Sequence, residues 1–337
     1  DISIVIMTSG AESCLLNSAA ESKFSFTNQT CYPEAYWPLL RYILNDKKFI
    51  KDLFISYMKF LNSRGITTIK EMGFDDFYGF TDILQELEAS NDLSLRVNFM
   101  SQPVSKKMDI DYAKKMRALF TGDNIRFSGF NRMTDGSISE MKGDLKQPYT
   151  NNSKITNIEE IDWNEIENDL KIADNNGFRF SLHAQGDGAV SKTIDLMKKC
   201  QTDKNGKLLN RHAITDLELT EKDDLKKMGD LGIIAEIYPQ ITSLYDNPVD
   251  KVNQIKEYVG FRSKNYWNRR EMIENNIILS CGTDLPLLYD NIPESIFNAC
   301  GGYFKDDSFQ FNSNNCLSVS ELIDAWTSGG AYNLGLE

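Results

Sequence analysis

The chain has 337 residues, 41% of them hydrophobic, a net charge of −12 at pH 7 and two histidines. This length and composition suit one large packed core. The acidic balance excludes a nucleic-acid binder, which needs a basic surface, and no apolar run is long enough to span a bilayer. Six dispersed cysteines without a Cys-x-x-Cys pair predict free thiols and hence a reducing, cytoplasmic location.

Apolar, β-rich runs alternate with helical patterns along the chain. The strand-like runs lie at 66–72, 95–100, 125–130, 178–183, 209–215, 232–239 and 277–284, with an eighth candidate at 2–7. The helical patterns lie at 33–63, 81–89, 109–120, 163–175, 189–199, 220–230, 265–275 and 318–331. This alternation, with glycines ending several helices, predicts an α/β fold with a parallel sheet.

We interpret this fold as a (β/α)8 TIM-type barrel, complete or lacking its first strand. No Gly-x-Gly-x-x-Gly follows any strand, which argues against a dinucleotide-binding sheet. We expect residues 1–337 to form a single domain. The polar, Asn-rich stretch at about 139–160 is the longest irregular insertion and a candidate active-site loop.

Polar residues stand where the predicted strands end. In a barrel of this type those carboxyl ends converge on one mouth, which carries the chemistry. The strand-end residues are Glu71, Gln102, Asn131, His183, Thr215, Asp216, Gln240, Thr283 and Asp284.

His183 and Asp284 are the strongest candidates in this set. Imidazole and carboxylate suit Zn²⁺ or another divalent metal, and Asp284 could also accept a proton as a catalytic base. We therefore predict that the two side chains approach closely enough to share one ion or one water. The competing interpretation is a hydrogen-bonded structural histidine and a turn-forming aspartate.

His212 lies inside the predicted strand 209–215 and not at its tip. It is either a core histidine with satisfied hydrogen bonds or a functional residue. By the period of two in a strand, Arg211 should point to the opposite face.

Seven short segments occur in a fixed order along the chain. They are Asn-Ser-Ala-Ala at 17–20, Ser-Arg-Gly-Ile-Thr-Thr at 63–68, Asp-Gly-Ser at 135–137, His-Ala-Gln-Gly-Asp-Gly-Ala-Val at 183–190, Arg-His-Ala-Ile at 211–214, Gly-Thr-Asp-Leu-Pro at 282–286 and Ala-Trp-Thr-Ser-Gly-Gly-Ala at 325–331. Together they resemble the amidohydrolase superfamily, in particular the branch called amidohydrolase family 3.

The resemblance implies a metal-dependent hydrolase that cleaves a carbon–nitrogen bond, other than a peptide bond, in a small amide or cyclic amide. His183 and Asp284 match the family's metal ligands, and Asp216 occupies the position of a further ligand. Asp284 would be the catalytic base. The oligomeric state stays open, with a homo-oligomer as one alternative. The substrate-binding positions implied are Arg211, His212, Asp187 and Asp135.

The departures from the family pattern concern its metal ligands. The chain has no His-x-His, Asn131 stands at the position of the bridging lysine, and Glu12 replaces an early histidine. The flanking β-sandwich is also missing, so the sequence is either a fragment or a degenerate member. Two functions stay open, a hydrolase and a catalytically silent barrel, or pseudoenzyme, that binds a small molecule or partner. We predict weak or absent metal in this chain alone, and no binuclear centre.

Overall fold

The computed structural model describes residues 2–7, 14–24, 42, 45–72, 80–103, 107–244, 247–284, 292–304 and 309–337. The chain divides into two compact units, Asp1–Phe127 and Ser128–Glu337. We call them the first unit and the second unit and describe each by itself.

The first unit alternates helices with strands. Its strands are β1 (Val5–Met7), β2 (Cys14–Leu16), β3 (Thr68–Met72), β4 (Arg96–Ser101) and the start of β5 (Ile125–Met133). Its helices are α1 (Ser18–Phe24), α2 (Lys47–Ser63), α3 (Phe80–Ala89) and α4 (Ile110–Leu119).

Helix α2 shows how local sequence sets these elements. The side chain of Asp46 accepts a hydrogen bond from the backbone N–H of Phe49 and caps the helix start. The helix buries one stripe at helical spacing, formed by Ile50, Phe54, Met58 and Leu61. Residues 33–41, 43 and 44 of the predicted helix 33–63 lie outside the described residues, as does Glu12.

The expected eighth barrel strand at 2–7 was wrong. Val5–Met7 pairs antiparallel with Cys14–Leu16, in a two-stranded sheet separate from the main sheet. The side chains of Ile4 and Ile6 are exposed, whereas a strand of a parallel barrel is buried on both faces. An apolar run of this length does not reveal whether its pairing partner is a neighbouring hairpin strand or a distant one.

The second unit continues the alternation. Its strands, after β5, are β6 (Phe180–Ala184), β7 (Ala213–Asp216), β8 (Ile234–Ile237) and β9 (Leu279–Cys281). Its helices are α5 (Trp163–Asn175), α6 (Asp187–Met197), α7 (Lys222–Leu231), α8 (Pro248–Val259), α9 (Arg269–Glu274), α10 (Ile292–Gly301), α11 (Val319–Trp326) and α12 (Ser328–Leu334).

Strands β3 to β9 follow one another in chain order in one seven-stranded sheet. β3 pairs with β4 in parallel, and β5 to β9 pair in succession, also in parallel. All seven predicted strands are present, which confirms the α/β fold of an incomplete (β/α)8 barrel.

In the part of the chain that the structure describes, no helix is long and apolar enough to cross a membrane.

The parallel register brings His183, Thr215 and Asp216 to one edge of the sheet. His183 lies opposite Thr215, and Ala184 lies opposite Asp216, so β6 and β7 end side by side. Thr215 in turn lies opposite Glu236 of β8. Side chains that follow these strands therefore lie close together at the carboxyl edge.

Candidate functional site

The centre of the site is a contact between His183 of β6 and Asp216, the last residue of β7. The Nε2 atom of His183 lies 2.7 Å from Oδ2 of Asp216. Their side chains are only 10% and 7% exposed. Asp216 and the following Leu217 have positive φ angles of 80° and 57°, which bend the chain sharply at the strand end.

Carboxylates surround the His183 ring. Burial disfavours its charged form, but the hydrogen bond with Asp216 and the charges of Asp216, Asp135 and Asp284 outweigh burial and raise its pKa to about 9. Its other nitrogen, Nδ1, is buried without a hydrogen-bond partner and lies 3.7 Å from Oδ1 of Asp135. The ring therefore stands between two carboxylates, one on each nitrogen.

Asp135, predicted as a substrate-binding residue, is buried, and its carboxylate accepts hydrogen bonds from three backbone N–H groups. Its Oδ1 accepts from the N–H of Gln185, and its Oδ2 accepts from the N–H groups of Gly186 and Asp144. Burial raises its pKa, against the lowering effects of His183 and these three hydrogen bonds. Asp135 thus ties the 135–144 loop to the turn after β6, beside His183.

Gln185 is a site residue that sequence reasoning missed, although it stands inside the quoted motif. Its Nε2 donates to Oδ2 of Asp216 over 2.9 Å. Its Oε1 accepts from the backbone N–H of Ile138 over 3.1 Å. One side chain therefore connects Asp216 to the loop that follows Asp135.

Glu218 is a second residue that the sequence analysis did not single out. It is buried, and its Oε2 accepts a hydrogen bond from the hydroxyl of Tyr266 over 2.7 Å. Burial raises the pKa of Glu218, the buried cation of Lys251 lowers it, and the charge of Asp216 raises it further. Nothing in the local sequence distinguishes this buried glutamate from an exposed one, because its partners come from distant segments.

Asp284 lies three residues after β9, with a positive φ of 45° and an exposed side chain. The neighbouring protein atoms remove part of its hydration, and together with the charge of Asp216 they raise its pKa to about 6, while His183 lowers it. Its charge thus interacts with those of His183 and Asp216. Residues 285 and 286 of its motif lie outside the described residues.

The donor types at this site fit a divalent cation. An imidazole nitrogen and carboxylate oxygens are typical ligands of Zn²⁺ and related ions. The orphaned Nδ1 of His183 faces Asp135, and metal-bound histidines commonly direct their second nitrogen to a carboxylate in this way. The residues that would hold the ion are His183, Asp216 and Asp284.

Within the described ranges, one trio of ligand atoms lies within 4.8 Å of one another, and it is a different one, Asp174, Cys200 and His212. The backbone N–H of Phe180 donates to Nδ1 of His212, so the ring proton is assigned to Nε2, which faces Oδ1 of Asp174 at 3.0 Å. His212 then offers no free lone pair. Burial also raises the pKa of the Cys200 thiol to about 12. His212 and Asp174 thus form a structural hydrogen bond, and the trio is a poor metal site.

The placement of Arg211 and His212 is a correction to the sequence analysis. β7 begins only at Ala213, and Arg211 has a positive φ of 50°, so the alternation of a strand does not apply to it. Arg211 precedes the start of β7. Its side chain donates to the backbone oxygen of Tyr332 and to the carboxylate of Glu337. Neither residue joins His183 at the carboxyl edge.

The other predicted residues have these positions. Asp187 is buried at the start of α6, where its Oδ1 accepts from the N–H of Lys146. Asn131 is buried within β5, opposite Ser181. Glu71 lies in β3 of the first unit, where burial raises its pKa to about 7.

Residues 42–337 match the sequence model of a family described as the amidohydrolase family. Two relatives are each 20% identical: the protein LONG AFTER FAR-RED 3 of Arabidopsis thaliana over 257 residues, and the putative amidohydrolase YtcJ of Bacillus subtilis over 218. The alignments cover 72% and 63% of this chain but only 42% and 39% of the relatives. The chain thus spans less than half the length of either relative.

Two solved structures share the fold. An uncharacterized metal-dependent hydrolase from Pyrococcus furiosus is 21% identical, with a TM-score of 0.77 over 100% of this chain and 69% of its own. Another, from Pyrococcus horikoshii, is 17% identical, with a TM-score of 0.76 over 99% and 68%.

Proposed function

Because this chain belongs to the amidohydrolase family, we propose that it is the barrel portion of a metal-dependent hydrolase acting on a carbon–nitrogen bond of a small amide or cyclic amide. The observation that carries the proposal is the contact between His183 and Asp216 at the carboxyl ends of neighbouring strands. In barrels of this type, catalytic groups lie at that edge.

His183, Asp216 and Asp284 would hold one divalent cation, with Zn²⁺ as the first candidate. When bound, such an ion polarises a carbonyl group and makes a nearby water more acidic. An aspartate stands at Asp216 where the family has a histidine, and a carboxylate remains an acceptable ligand for Zn²⁺ or Mn²⁺. The set is too small for a second ion, since Asn131 stands at the position of the bridging lysine.

The roles of the side chains follow from their positions. Asp284 is exposed and would take a proton from the attacking water and return it to the leaving nitrogen. Asp135 would orient the His183 ring from its Nδ1 side. Asp216 would line the site on the other side of the ring, beside Nε2 of His183.

A catalytically silent barrel is the second candidate. The observation that favours it is that Nε2 of His183, the nitrogen a cation would need, already bonds to Asp216 at 2.7 Å. In that case the mouth would bind a small molecule or a partner without a cation, and His183 would only stabilise the local structure.

Calorimetric titration of the chelator-treated chain with Zn²⁺ separates the two. The hydrolase proposal predicts one site per chain, weaker than structural zinc sites, whose complete ligand shells supply roughly 10–16 kcal/mol. Hydrolysis of a panel of small amides and cyclic amides should then depend on added Zn²⁺.

Site variants make this test specific. His183→Ala and Asp216→Asn should each abolish the binding heat and any hydrolysis, whereas Asp223→Asn, at an exposed aspartate of α7, should change neither. Absence of binding heat in the unmodified chain would favour the silent barrel.

A further inference from the structure

The turn at the end of β7 holds two consecutive residues in the left-handed region. Asp216 has a φ of 80° and Leu217 a φ of 57°. Residues other than glycine rarely adopt this conformation, and a bulky residue such as leucine is an outlier there. Such a turn persists only where surrounding contacts fix it, and strain of this kind clusters at functional sites.

The contacts that fix this turn come from Ala184, the last residue of β6, and from Gln185, which follows it. The N–H of Leu217 donates to the backbone oxygen of Ala184, and the N–H of Leu219 donates to that of Gln185, each over 3.0 Å. The side chain of Gln185 adds the third contact, from its Nε2 to Oδ2 of Asp216. That oxygen is the one that faces Nε2 of His183.

The opposite end of Gln185 is held as well. Its Oε1 accepts from the N–H of Ile138, which belongs to the loop after β5. This loop is itself anchored, because the backbone oxygen of Asp144 accepts from the N–H groups of Gly188 and Ala189 at the start of α6. Gln185 therefore spans two fixed points, and its amide cannot rotate away from Asp216 without losing the Ile138 bond.

We propose that Gln185 is a positioning residue that directs the carboxylate of Asp216 toward His183. The consequence of this role rests on the proposed function: the cation binds well only when the carboxylate of Asp216 already points toward His183. A purely structural role would stabilise the turn after β7 without affecting cation binding. The bond to the His183-facing oxygen of Asp216 is what distinguishes the two roles.

The test is the long-range ¹H–¹⁵N spectrum of the histidine rings in the chelator-treated chain at one fixed pH. The sequence has only two histidines, so the spectrum contains two rings, His183 and His212. Gln185→Met, which removes both polar atoms, should shift the His183 ring signals and leave those of His212 in place. Gln185→Glu keeps the acceptor for Ile138 but loses the donor to Asp216, and it should shift His183 as well.

Gln201→Met is the matched control. Nε2 of Gln201 donates to the backbone oxygen of Asp174, the residue that bonds His212. This variant should therefore disturb His212 and leave His183 unchanged. Unmoved His183 signals in both Gln185 variants would overturn the positioning role.

Titration with Zn²⁺ provides the second measurement. Loss of a residue that orients a metal ligand typically weakens metal binding by about 10-fold or more, and we expect a loss of that order in Gln185→Met, which adds no charge. Unchanged Zn²⁺ affinity in this variant would contradict the proposal. If the unmodified chain bound no Zn²⁺ while His183 still shifted in the variants, the proposed function would fail and the positioning of Asp216 would stand.

Discussion

The two histidines of this chain have different surroundings and, in our account, different roles. His183 has one nitrogen bonded to a carboxylate and the other orphaned, at a strand end. His212 is 0% exposed and has both nitrogens bonded, to the N–H of Phe180 and to Asp174. In our proposal His183 exchanges its contact with Asp216 for a shared cation, whereas both nitrogens of His212 serve the core.

This difference predicts opposite phenotypes for the two histidines. His212→Phe leaves the N–H of Phe180 and one bond of the buried Asp174 unmade, so it should lower the free energy of unfolding by about 2–3 kcal/mol. His183→Ala should cost less stability but abolish cation binding. Urea unfolding and Zn²⁺ titration of both variants check this, and equal loss of stability with retained Zn²⁺ binding in His183→Ala would argue against it.

At the scale of elements, the loop after β5 and the turn before α6 form one interlocked unit. Gly186 stands where a Cβ atom would lie 2.1 Å from the backbone oxygen of Asp144, and a Cβ at Gly188 would lie 2.8 Å from it. The close approach lets that oxygen accept the N–H groups of Gly188 and Ala189. The glycines of the motif therefore serve loop packing, which in turn places Asp135 and Gln185.

Gly186→Ala should consequently destabilise the chain. The added methyl meets backbone atoms that are themselves hydrogen-bonded, and overpacking of this kind costs roughly 3 kcal/mol. Gly330→Ala is the control, because its Cβ would meet nothing nearer than 3.9 Å and alanine favours a helix. Thermal unfolding that shows equal stability for both variants would refute the interlocked arrangement.

The start of α11 gives a pH-dependent prediction. Hydrogen bonds from Arg270 lower the pKa of Glu321 to about 2, with the capping bonds of Ser318 acting in the same direction. A carboxylate whose pKa is lower in the folded state stabilises fully above its unfolded pKa of about 4.3, and this stabilisation is lost as the pH falls toward 2.

Glu321→Gln should therefore cost about 1 kcal/mol near neutral pH, after allowance for solvent screening, and progressively less below the unfolded pKa. Unfolding free energies measured at both ends of this range check the trend. In an Arg270→Met background the same substitution should lose most of its pH dependence. A cost that grows as the pH falls would have the wrong sign for this account.

The positions of the strands in the main sheet could be predicted from the sequence, whereas several contacts between distant residues could not. Buried parallel strands are short apolar runs, so β3 to β9 could be located from the apolar runs along the chain. The helix at Pro248–Val259 was missed because only Val252, Ile255 and Val259 mark its apolar stripe, although Asn247 and Pro248 form a typical start. His183 and Asp216 could be predicted from strand ends, whereas Glu218 depends on Tyr266 and Lys251, which no local pattern connects to it.

At the scale of the whole molecule, the chain carries a net charge of −12, and several of its carboxylates lie at the carboxyl edge of the sheet. Asp216, Glu218 and Asp284 interact electrostatically there with His183. A cluster of carboxylates with few cations attracts a positive ion and disfavours an anionic ligand. The family implies a divalent metal, and this charge distribution supports the site for one cation that we propose at His183, Asp216 and Asp284.

Anomalous X-ray diffraction at the zinc edge, on crystals grown with Zn²⁺, tests this central claim most directly. We predict a single peak, adjacent to Nε2 of His183 and the carboxylate of Asp216. No peak at that position with Zn²⁺ present, two peaks there, or a peak confined to Asp174, Cys200 and His212 would contradict the account.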